Sequence, residues 1–287
     1  MAENRGVFRL RTLRTENVQG DGVAVTDAWV PPAPIATEDA SYMVGGLRNE
    51  YDSTNSASNV SSETYKITYA TSTTSRLPGS NLNNPMYGGL GMSSLVAMYS
   101  GGGPNVPGLN PNQTNVRKLT YATGAWALLP GSNGLKVEPK QSTQGVGDGM
   151  NFGYYFGGVN QMDGSSRTSY TQKYTFAYDT SERIPGANLS YDFYGATAAG
   201  NQEKAIVTGG NIGSPSSLST KISKLTYLNE TMVQAPGIYL GNSKYKGDGE
   251  AAAANNQYIW YAGGMQIGPQ GGSLIGQTTV SRLTMSI

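Results

Sequence analysis

Tyr42-Met-Val-Gly-Gly46 is the first of five copies of a diglycine that closes a short apolar run. The other four are Met98-Tyr-Ser-Gly-Gly102, Tyr154-Tyr-Phe-Gly-Gly158, Ile206-Val-Thr-Gly-Gly210 and Trp260-Tyr-Ala-Gly-Gly264. They recur at intervals of 52 to 56 residues. A fixed period near ~50 residues is typical of a stacked or radial repeat. We expect these glycines to be structural residues of the repeat: Gly45, Gly46, Gly101, Gly102, Gly157, Gly158, Gly209, Gly210, Gly263 and Gly264.

The composition favours a single turn-rich, all-β domain. Glycine supplies 39 of the 287 residues, about twice the usual ~7%, and only 14% of the residues are charged. Five copies of one unit favour one closed domain, because a lone unit cannot bury its apolar face. The net charge of +1 gives no electrostatic argument for nucleic acid or membrane lipid as a partner.

Each unit continues after the diglycine with a polar loop and a strand of period two. The strand occupies residues 65–69, 117–121, 172–176, 223–227 and 281–285. In most copies one face carries Ile or Leu with an aromatic residue, and the other carries Lys and Thr, which predicts packing against a neighbouring sheet. Four units then carry Pro-Gly, at 78–79, 130–131, 185–186 and 236–237. Pro-Gly predicts a type II turn with glycine at positive φ, and a short strand such as 125–129 fits before it.

The next segment of a unit consists of small residues, at 88–91, 145–149, 195–199 and 250–254. Only such residues avoid collision on the crowded inner strand of a propeller blade, so we expect these segments to be inner strands. Four strands per unit and five units predict a single five-bladed β-propeller. A five-unit solenoid is the alternative, but it would require capping units, which the sequence lacks.

Residues 1–40 precede the repeats and are predicted to form an N-terminal arm with closing strands, followed by the propeller at 41–287. Residues 7–13 alternate as in a half-buried strand, and the prolines at 30–34 form a stiff linker. We expect residues 23–37 to include the inner strand of the first blade and residues 7–13 to complete the fifth blade. The arm could instead dock to a partner protein through Arg5, Phe8, Arg9, Leu10, Arg11 and Arg14.

No catalytic constellation recurs, and we expect no enzymatic activity, no metal and no cofactor. The chain has no Cys and no His, which excludes disulfides, thiol nucleophiles and imidazole acid–base chemistry. Three carboxylates flank the small strands: Asp148, Asp192 and Asp248. They do not recur at one register across the repeats. A carboxylate pair at glycosidase spacing remains the enzymatic alternative. Residues 145–149 lack the Lys-Ser/Thr of a phosphate-binding loop and fit inner-strand packing better.

The aromatic residues have two interpretations. Trp126 and Trp260 lie within periodic strands, so we expect them in the core. Tyr and Asn in the loops, as around residues 51–59, could stack on sugars or contact proteins, although a solvated loop is the simpler interpretation. The N-terminus lacks a signal-peptide core, and no apolar run is long enough to span a bilayer. The sequence therefore predicts a protein made in a cytoplasm and not exported through the Sec pathway.

Several motifs carry a resemblance to a known group. They are the diglycine strands after Tyr or Phe, the Lys-Leu-Thr-Tyr-Ala-Thr strand at 118–123, and Leu-Pro-Gly-Ser-Asn at 77–81 and 129–133. Together they resemble the kelch-like repeat proteins of tailed marine bacteriophages, particularly cyanophages. The opening residues 5–11 are similar to the start of such virion proteins. The resemblance covers nearly the whole chain and implies a structural component of the virion.

We therefore expect a phage tail or tail-fibre protein, present in multiple copies and bound to other virion proteins, with host-surface glycan as a further partner. Neither nucleic acid binding nor membrane insertion is expected. A head decoration protein and a receptor-binding lectin module are the alternatives, and a glycan-cleaving enzyme is a more distant one. The pattern departs from cellular kelch proteins in its blade Trp arrangement, which argues against cellular kelch roles.

Overall fold

The structure is a computed structural model, and it describes residues 35–36, 40–45, 61–82, 89–102, 116–129, 144–158, 167–212, 219–239, 251–254, 257–262, 265–267, 274–276 and 280–284. These ranges consist of strands and their turns, and the helical element among them is one 3-10 turn at Pro185–Ala187. The predicted all-β class is therefore confirmed.

Four antiparallel sheets have four strands each, and we call them blades 1 to 4. Blade 1 contains β1 (Ile35–Ala36), β2 (Ala40–Val44), β3 (Thr64–Thr68) and β4 (Thr73–Arg76). Blade 2 contains β5 (Leu90–Ser93), β6 (Ala97–Gly101), β7 (Val116–Thr120) and β8 (Ala125–Leu128). Blade 3 contains β9 (Gln144–Gly147), β10 (Phe152–Phe156), β11 (Thr171–Thr175) and β12 (Thr180–Arg183). Blade 4 contains β13 (Tyr194–Gly200), β14 (Lys204–Asn211), β15 (Lys221–Thr226) and β16 (Thr231–Tyr239).

The last repeat forms a smaller sheet. Its strands are β17 (Ala251–Ala254) and β18 (Tyr258–Ala262), followed along the chain by a separate hairpin of β19 (Met265–Ile267) and β20 (Leu274–Gly276), and then by β21 (Val280–Thr284), which pairs with β18. The structure is propeller-like with four complete blades. The prediction was five four-stranded blades, and the structure shows four. The last sheet has three strands, because no fourth strand lies beside β21 in the described ranges.

The N-terminal region is described only at its end. β1 lies inside the segment that was predicted to supply the inner strand of the first blade, and Ile35 pairs with Tyr42. The rest of the predicted arm, including residues 7–13 and the linker at 30–34, lies outside the described residues. The described part of the chain therefore gives no support to an arm.

The inner strands lie side by side in chain order, with β5 beside both β1 and β9, and β13 beside both β9 and β17. Their small residues allow this close approach. A Cβ on Gly147 would overlap the carbonyl oxygen of Ser93, and a Cβ on Gly145 would overlap that of Gly91. Backbone therefore meets backbone between blades 2 and 3, which is the physical reason for the small-residue segments.

Each core cluster is shared between two neighbouring blades. Tyr99 of blade 2 stacks on Phe176 of blade 3 with ring centroids 4.6 Å apart. The equivalent stack between blades 1 and 2 joins Tyr42 to Tyr121 at 5.0 Å. The aromatic residues fill the space between sheets, so side-chain packing contributes strongly to holding the blades together.

The predicted type II turns at 78–79, 185–186 and 236–237 are wrong, and the fourth Pro-Gly, at 130–131, lies outside the described residues. Gly79 and Gly186 do not have positive φ, whereas a type II turn requires it. The Leu77 carbonyl accepts a hydrogen bond from the Ser80 N–H at 3.0 Å, and Pro185–Ala187 forms a 3-10 turn. At 236–237 the strand β16 continues through the Pro-Gly. Proline fixes its own φ near the helical value. The turns at 78–79 and 185–186 need that φ at the proline and do not need a positive φ at the following glycine.

Candidate protein-contact surface

The hairpin turns of each blade lie at one end of the sheets. In blade 2 the N–H of Tyr121, after β7, donates to the carbonyl of Val96, before β6, at 3.0 Å. The same bond joins the Phe176 N–H to the Asn151 carbonyl at 3.0 Å in blade 3. In blade 4 the Tyr227 N–H donates to the Glu203 carbonyl at 2.9 Å. At this end the turn between the first and second strands meets the turn between the third and fourth strands. We call it the short-turn end.

The turn between β9 and β10 is fixed by a buried carboxylate. Oδ1 of Asp148 accepts hydrogen bonds from the N–H groups of Met150, Asn151 and Phe152, at 2.7, 2.9 and 3.0 Å. Gly149 forms a parallel bridge with Ser94, in the corresponding turn of blade 2. These bonds hold the backbone of the turns of two blades in a defined arrangement.

Large apolar side chains project into solvent from these turns. Their exposed fractions are 69% for Leu95, 65% for Val96, 49% for Met150, 75% for Tyr178 and 97% for Leu228. We call these five residues the apolar turn set. Leu95 and Met150 directly follow the bridged pair Ser94 and Gly149, so they are neighbours across two blades. Exposed apolar side chains gathered at one end of a protein are typical of a surface that contacts another protein.

Charged side chains near these turns form ion pairs between neighbouring blades. Nζ of Lys173, on β11, lies 2.6 Å from Oε1 of Glu230 in the next blade's turn. Lys118, on β7, lies 3.8 Å from Asp179 in the turn of blade 3. Both carboxylates therefore face a lysine of the preceding blade, and the apolar turn set offers apolar area rather than a charged binding site.

The opposite end carries the diglycines. Gly157, directly after β10, has φ of 56°, and a Cβ there would collide with Phe193 of the neighbouring blade. The position therefore requires glycine for both its backbone conformation and its space. Positive φ also occurs at Gly45, Gly102, Gly158, Gly209 and Gly210, while Gly101 ends β6. The remaining residues of the predicted repeat set lie outside the described ranges: Gly46, Gly263 and Gly264.

None of the other predicted site residues that the structure describes is a member of the apolar turn set. The docking candidates of the arm lie outside the described residues: Arg5, Phe8, Arg9, Leu10, Arg11 and Arg14. Residues 51–59 and Asp248 also lie outside them. Asp192 is exposed, and Asp148 is committed to its turn. Trp126 is half-buried, and its Nε1–H donates to Thr64 Oγ1 of blade 1 at 3.0 Å, so it serves blade packing.

Within the described ranges the structure has neither a metal-binding cluster nor a membrane-spanning helix. No group of three or more Asp or Glu residues there is arranged to hold a metal ion. No helix there is long and apolar enough to cross a membrane. Burial raises the pKa of the Tyr154 hydroxyl, and the nearby carboxylates of Glu230 and Asp148 raise it further. Burial likewise raises the pKa of Tyr227. These phenols therefore belong to the blade interfaces as neutral groups.

Sequence reasoning missed the apolar turn set. The signal was present, because Leu228 and Tyr178 occupy tight turns, where polar residues are the usual choice. The segment containing Leu95 and Val96 also reads as the start of the next strand when only its hydrophobicity is considered. A period-two pattern does not locate the end of a strand to within one residue, so it does not separate a turn tip from the start of a strand.

The comparisons with known proteins concern the fold alone. No family model matches the chain, and no curated protein matches it. Among solved structures, the structure of YjhT superposes with a TM-score of 0.62 at 13% sequence identity. The match covers 86% of this chain and 82% of that chain. The arrangement of sheets therefore recurs in a solved structure across most of both chains.

Proposed function

We propose that this chain is a structural protein of a bacteriophage virion, in the tail or its fibres, and that it binds other virion proteins through the apolar turn set. One observation carries the binding role. Five large apolar side chains are exposed on turns, and backbone contacts join the turns of blades 2 and 3, which carry four of them. The assignment to a virion rests on the resemblance of the repeats to kelch-like phage proteins.

The chemistry of the surface supports protein contact rather than turnover. The carboxylates of Asp179 and Glu230 are paired with lysines, and Asp148 binds backbone N–H groups. Leu, Val, Met and Tyr side chains instead offer apolar area, which stabilises protein–protein association when it is removed from water. Tyrosine is enriched among the residues that dominate such interfaces, so we expect Tyr178 to contribute strongly.

The experiment compares incorporation of variants into phage particles. Tagged copies would be expressed during infection, and purified particles would be probed for the tag. We expect the Leu95→Asp, Leu228→Asp variant to be absent from particles. The matched control is Leu128→Asp, Val233→Asp, since both residues are 53% exposed but lie on outer strands. The control should be incorporated like the unaltered chain.

Two results would overturn the proposal in different ways. Absence of the unaltered chain from complete particles would remove the virion assignment. Equal incorporation of both double variants would remove the apolar turn set as the docking surface. Binding on a glycan array by the unaltered chain, without incorporation into particles, would favour the receptor-binding lectin alternative.

We also propose that the complete protein has five blades, the fifth being completed at β21. Five copies of the diglycine repeat support this count, and the last copy already supplies three strands in the order of the other blades.

A further inference from the structure

The third strands of the four complete blades carry a lysine at one equivalent position. The strand registers place this lysine opposite the third residue of the second strand: Lys66, Lys118, Lys173 and Lys224. Two of the lysines meet a carboxylate of the following blade, since Lys118 pairs with Asp179 and Lys173 pairs with Glu230. The space beside this lysine is therefore one that an acidic side chain can fill.

The acidic partners occupy one position of the turn between the third and fourth strands. The residue directly before the fourth strand has left-handed backbone in every complete blade, with φ between 51° and 63°: Ser72, Gly124, Asp179 and Glu230. Only blades 3 and 4 have a carboxylate at this position. Blade 2 has Gly124 there, so its turn offers no side chain to Lys66 of blade 1.

The turn at Gly124 packs against the face of β3 that carries Lys66. Thr64 lies two residues before Lys66, so both side chains leave the strand on the same face. Oγ1 of Thr64 accepts a hydrogen bond from Nε1–H of Trp126 at 3.0 Å. Oγ of Ser80, which follows β4, donates a hydrogen bond to the carbonyl of Gly124. Blade 2 therefore covers blade 1 as the acidic turns cover the blades before them, but without the carboxylate.

Lys66 makes no ion pair with any residue that the structure describes. Its side chain is partly exposed, and its Nζ lies 6.0 Å from the centroid of the Tyr42 ring. Interfaces place opposite charges against each other, because complementary charge guides the encounter and excludes wrong partners. A cation without a counter-charge therefore favours a partner that is anionic at this point.

The unpaired lysine is continuous with the apolar turn set. The Tyr42 ring beside Lys66 stacks on the ring of Tyr121, with centroids 5.0 Å apart. The N–H of Tyr121 donates to the carbonyl of Val96, which belongs to the apolar turn set. A protein that covers Val96 is therefore within reach of Lys66.

We propose that Lys66 binds an aspartate or glutamate side chain of the protein that docks on the apolar turn set. This inference rests on the proposed docking role and specifies the chemistry of the partner, which presents a carboxylate beside its apolar side chains. The carboxylate fills the place that Asp179 and Glu230 fill in blades 3 and 4. An acidic residue at 124 would close that place from within the chain, so glycine there keeps Lys66 available to the partner.

The first experiment measures melting temperatures of the isolated protein. Gly124→Asp supplies the missing carboxylate; aspartate tolerates left-handed backbone, and a Cβ at 124 would meet one described atom within 4 Å, Oγ of Ser80 at 3.3 Å. Gly124→Asn is the matched control, with the same size and backbone tolerance but no charge. We expect Gly124→Asp to melt about 1–3 °C above Gly124→Asn. The difference should vanish when Lys66→Gln is added to both.

The second experiment measures incorporation of tagged variants into phage particles. Gly124→Asp should be incorporated several-fold less than the unaltered chain, because its own carboxylate occupies Lys66. Lys66→Gln should show a similar loss, since it removes the cation, and Gly124→Asn should be incorporated normally. Gly124→Asp is therefore expected to be more stable than its control and to dock less, a combination that a folding defect would not give.

The failures have different signatures. Equal melting temperatures for Gly124→Asp and Gly124→Asn would show that a carboxylate at this place does not reach Lys66, and would overturn the site. Normal incorporation of Gly124→Asp and Lys66→Gln, with the Leu95→Asp, Leu228→Asp variant absent from particles, would overturn this inference and leave the proposed function standing. Absence of the unaltered chain from complete particles would overturn the proposed function and, with it, the acidic docking partner.

Discussion

Tyr154 and Tyr227 belong to different blades, and their rings stack with centroids 4.7 Å apart and an angle of 3° between the planes. Tyr154 lies on the second strand of blade 3, and Tyr227 begins the turn after the third strand of blade 4. The same two positions meet between blades 1 and 2 and between blades 2 and 3. In all three cases an aromatic residue of a second strand therefore stacks on an aromatic residue of the following blade.

Removing this stack should uncouple two blades. Tyr154→Leu and Tyr227→Leu should each destabilise the protein by about 1–3 kcal/mol. A double-mutant cycle should give a coupling of about 0.5–1.5 kcal/mol, because the stack is lost with the first substitution. Denaturant unfolding measures both values. A cycle that combines Tyr154→Leu with Tyr178→Leu, at an exposed turn, serves as the control and should be additive.

The inner-strand glycines should tolerate no side chain where backbones touch. Gly147→Ala would force a Cβ into the Ser93 carbonyl, so we expect a loss of about 2–3 kcal/mol. Gly186→Ala is the matched control, because nothing lies within 4 Å of the new Cβ and the backbone φ is ordinary. Its melting temperature should be unchanged or slightly higher. Similar losses in both variants would contradict the close approach of β5 and β9.

The ion pair between Lys173 and Glu230 should contribute more than the one between Lys118 and Asp179. The first is shorter, 2.6 Å against 3.8 Å, and Lys173 also lies 4.0 Å from the centroid of the Phe152 ring. We expect Glu230→Gln to cost about 1 kcal/mol and Asp179→Asn to cost less. The difference should shrink in high salt, as measured by urea unfolding. A larger loss for Asp179→Asn would mean that the geometry of the pair does not set its strength.

Alkaline conditions should destabilise the protein. Burial raises the pKa of Tyr227 and Tyr154 above the ordinary value of about 10. Because the folded state holds these protons longer than the unfolded state does, their contribution to stability is complete below about pH 10 and decreases as the pH rises further. Melting temperatures measured from about pH 8 to pH 12 should therefore fall above pH 10.

The Tyr227→Phe variant checks this cause. The Tyr227 hydroxyl is buried, and no hydrogen-bond partner for it occurs in the part of the chain that the structure describes. Its removal should leave stability at pH 8 unchanged or raised, and the loss above pH 10 should become smaller. An alkaline loss identical to that of the unaltered protein would show that other groups are responsible.

The sequence predicted the strands well because their causes are local. The third strands begin one or two residues before the predicted positions, and the small-residue segments coincide with inner strands such as β9 and β17. Period-two patterning and glycine content depend on a few neighbouring residues, so they can be read directly. Pro-Gly was misleading because the same dipeptide fits a type II turn, a 3-10 turn and, at 236–237, a strand.

The contacts between blades could not be predicted in the same way. Tyr154 and Tyr227 were both visible as members of the repeat, but their partnership depends on how far one blade is displaced along the next. The ion pair of Lys173 with Glu230 has the same origin, since its residues are separated by a full repeat. The exposed tip at Leu228 was missed because exposure depends on the turn geometry, which hydrophobicity does not encode.

The direction of the aromatic stacks has a consequence for synthesis. Each stacked tyrosine of a second strand is covered by a residue of the next blade, which the ribosome adds later. The ring of Tyr154 stays uncovered until Tyr227 has been added, which takes several seconds at about 5–20 residues per second. Blades should therefore become stable in order from the N-terminus, each one completed by its successor. The growing chain would always present one uncovered aromatic face to solvent until synthesis reaches the next repeat.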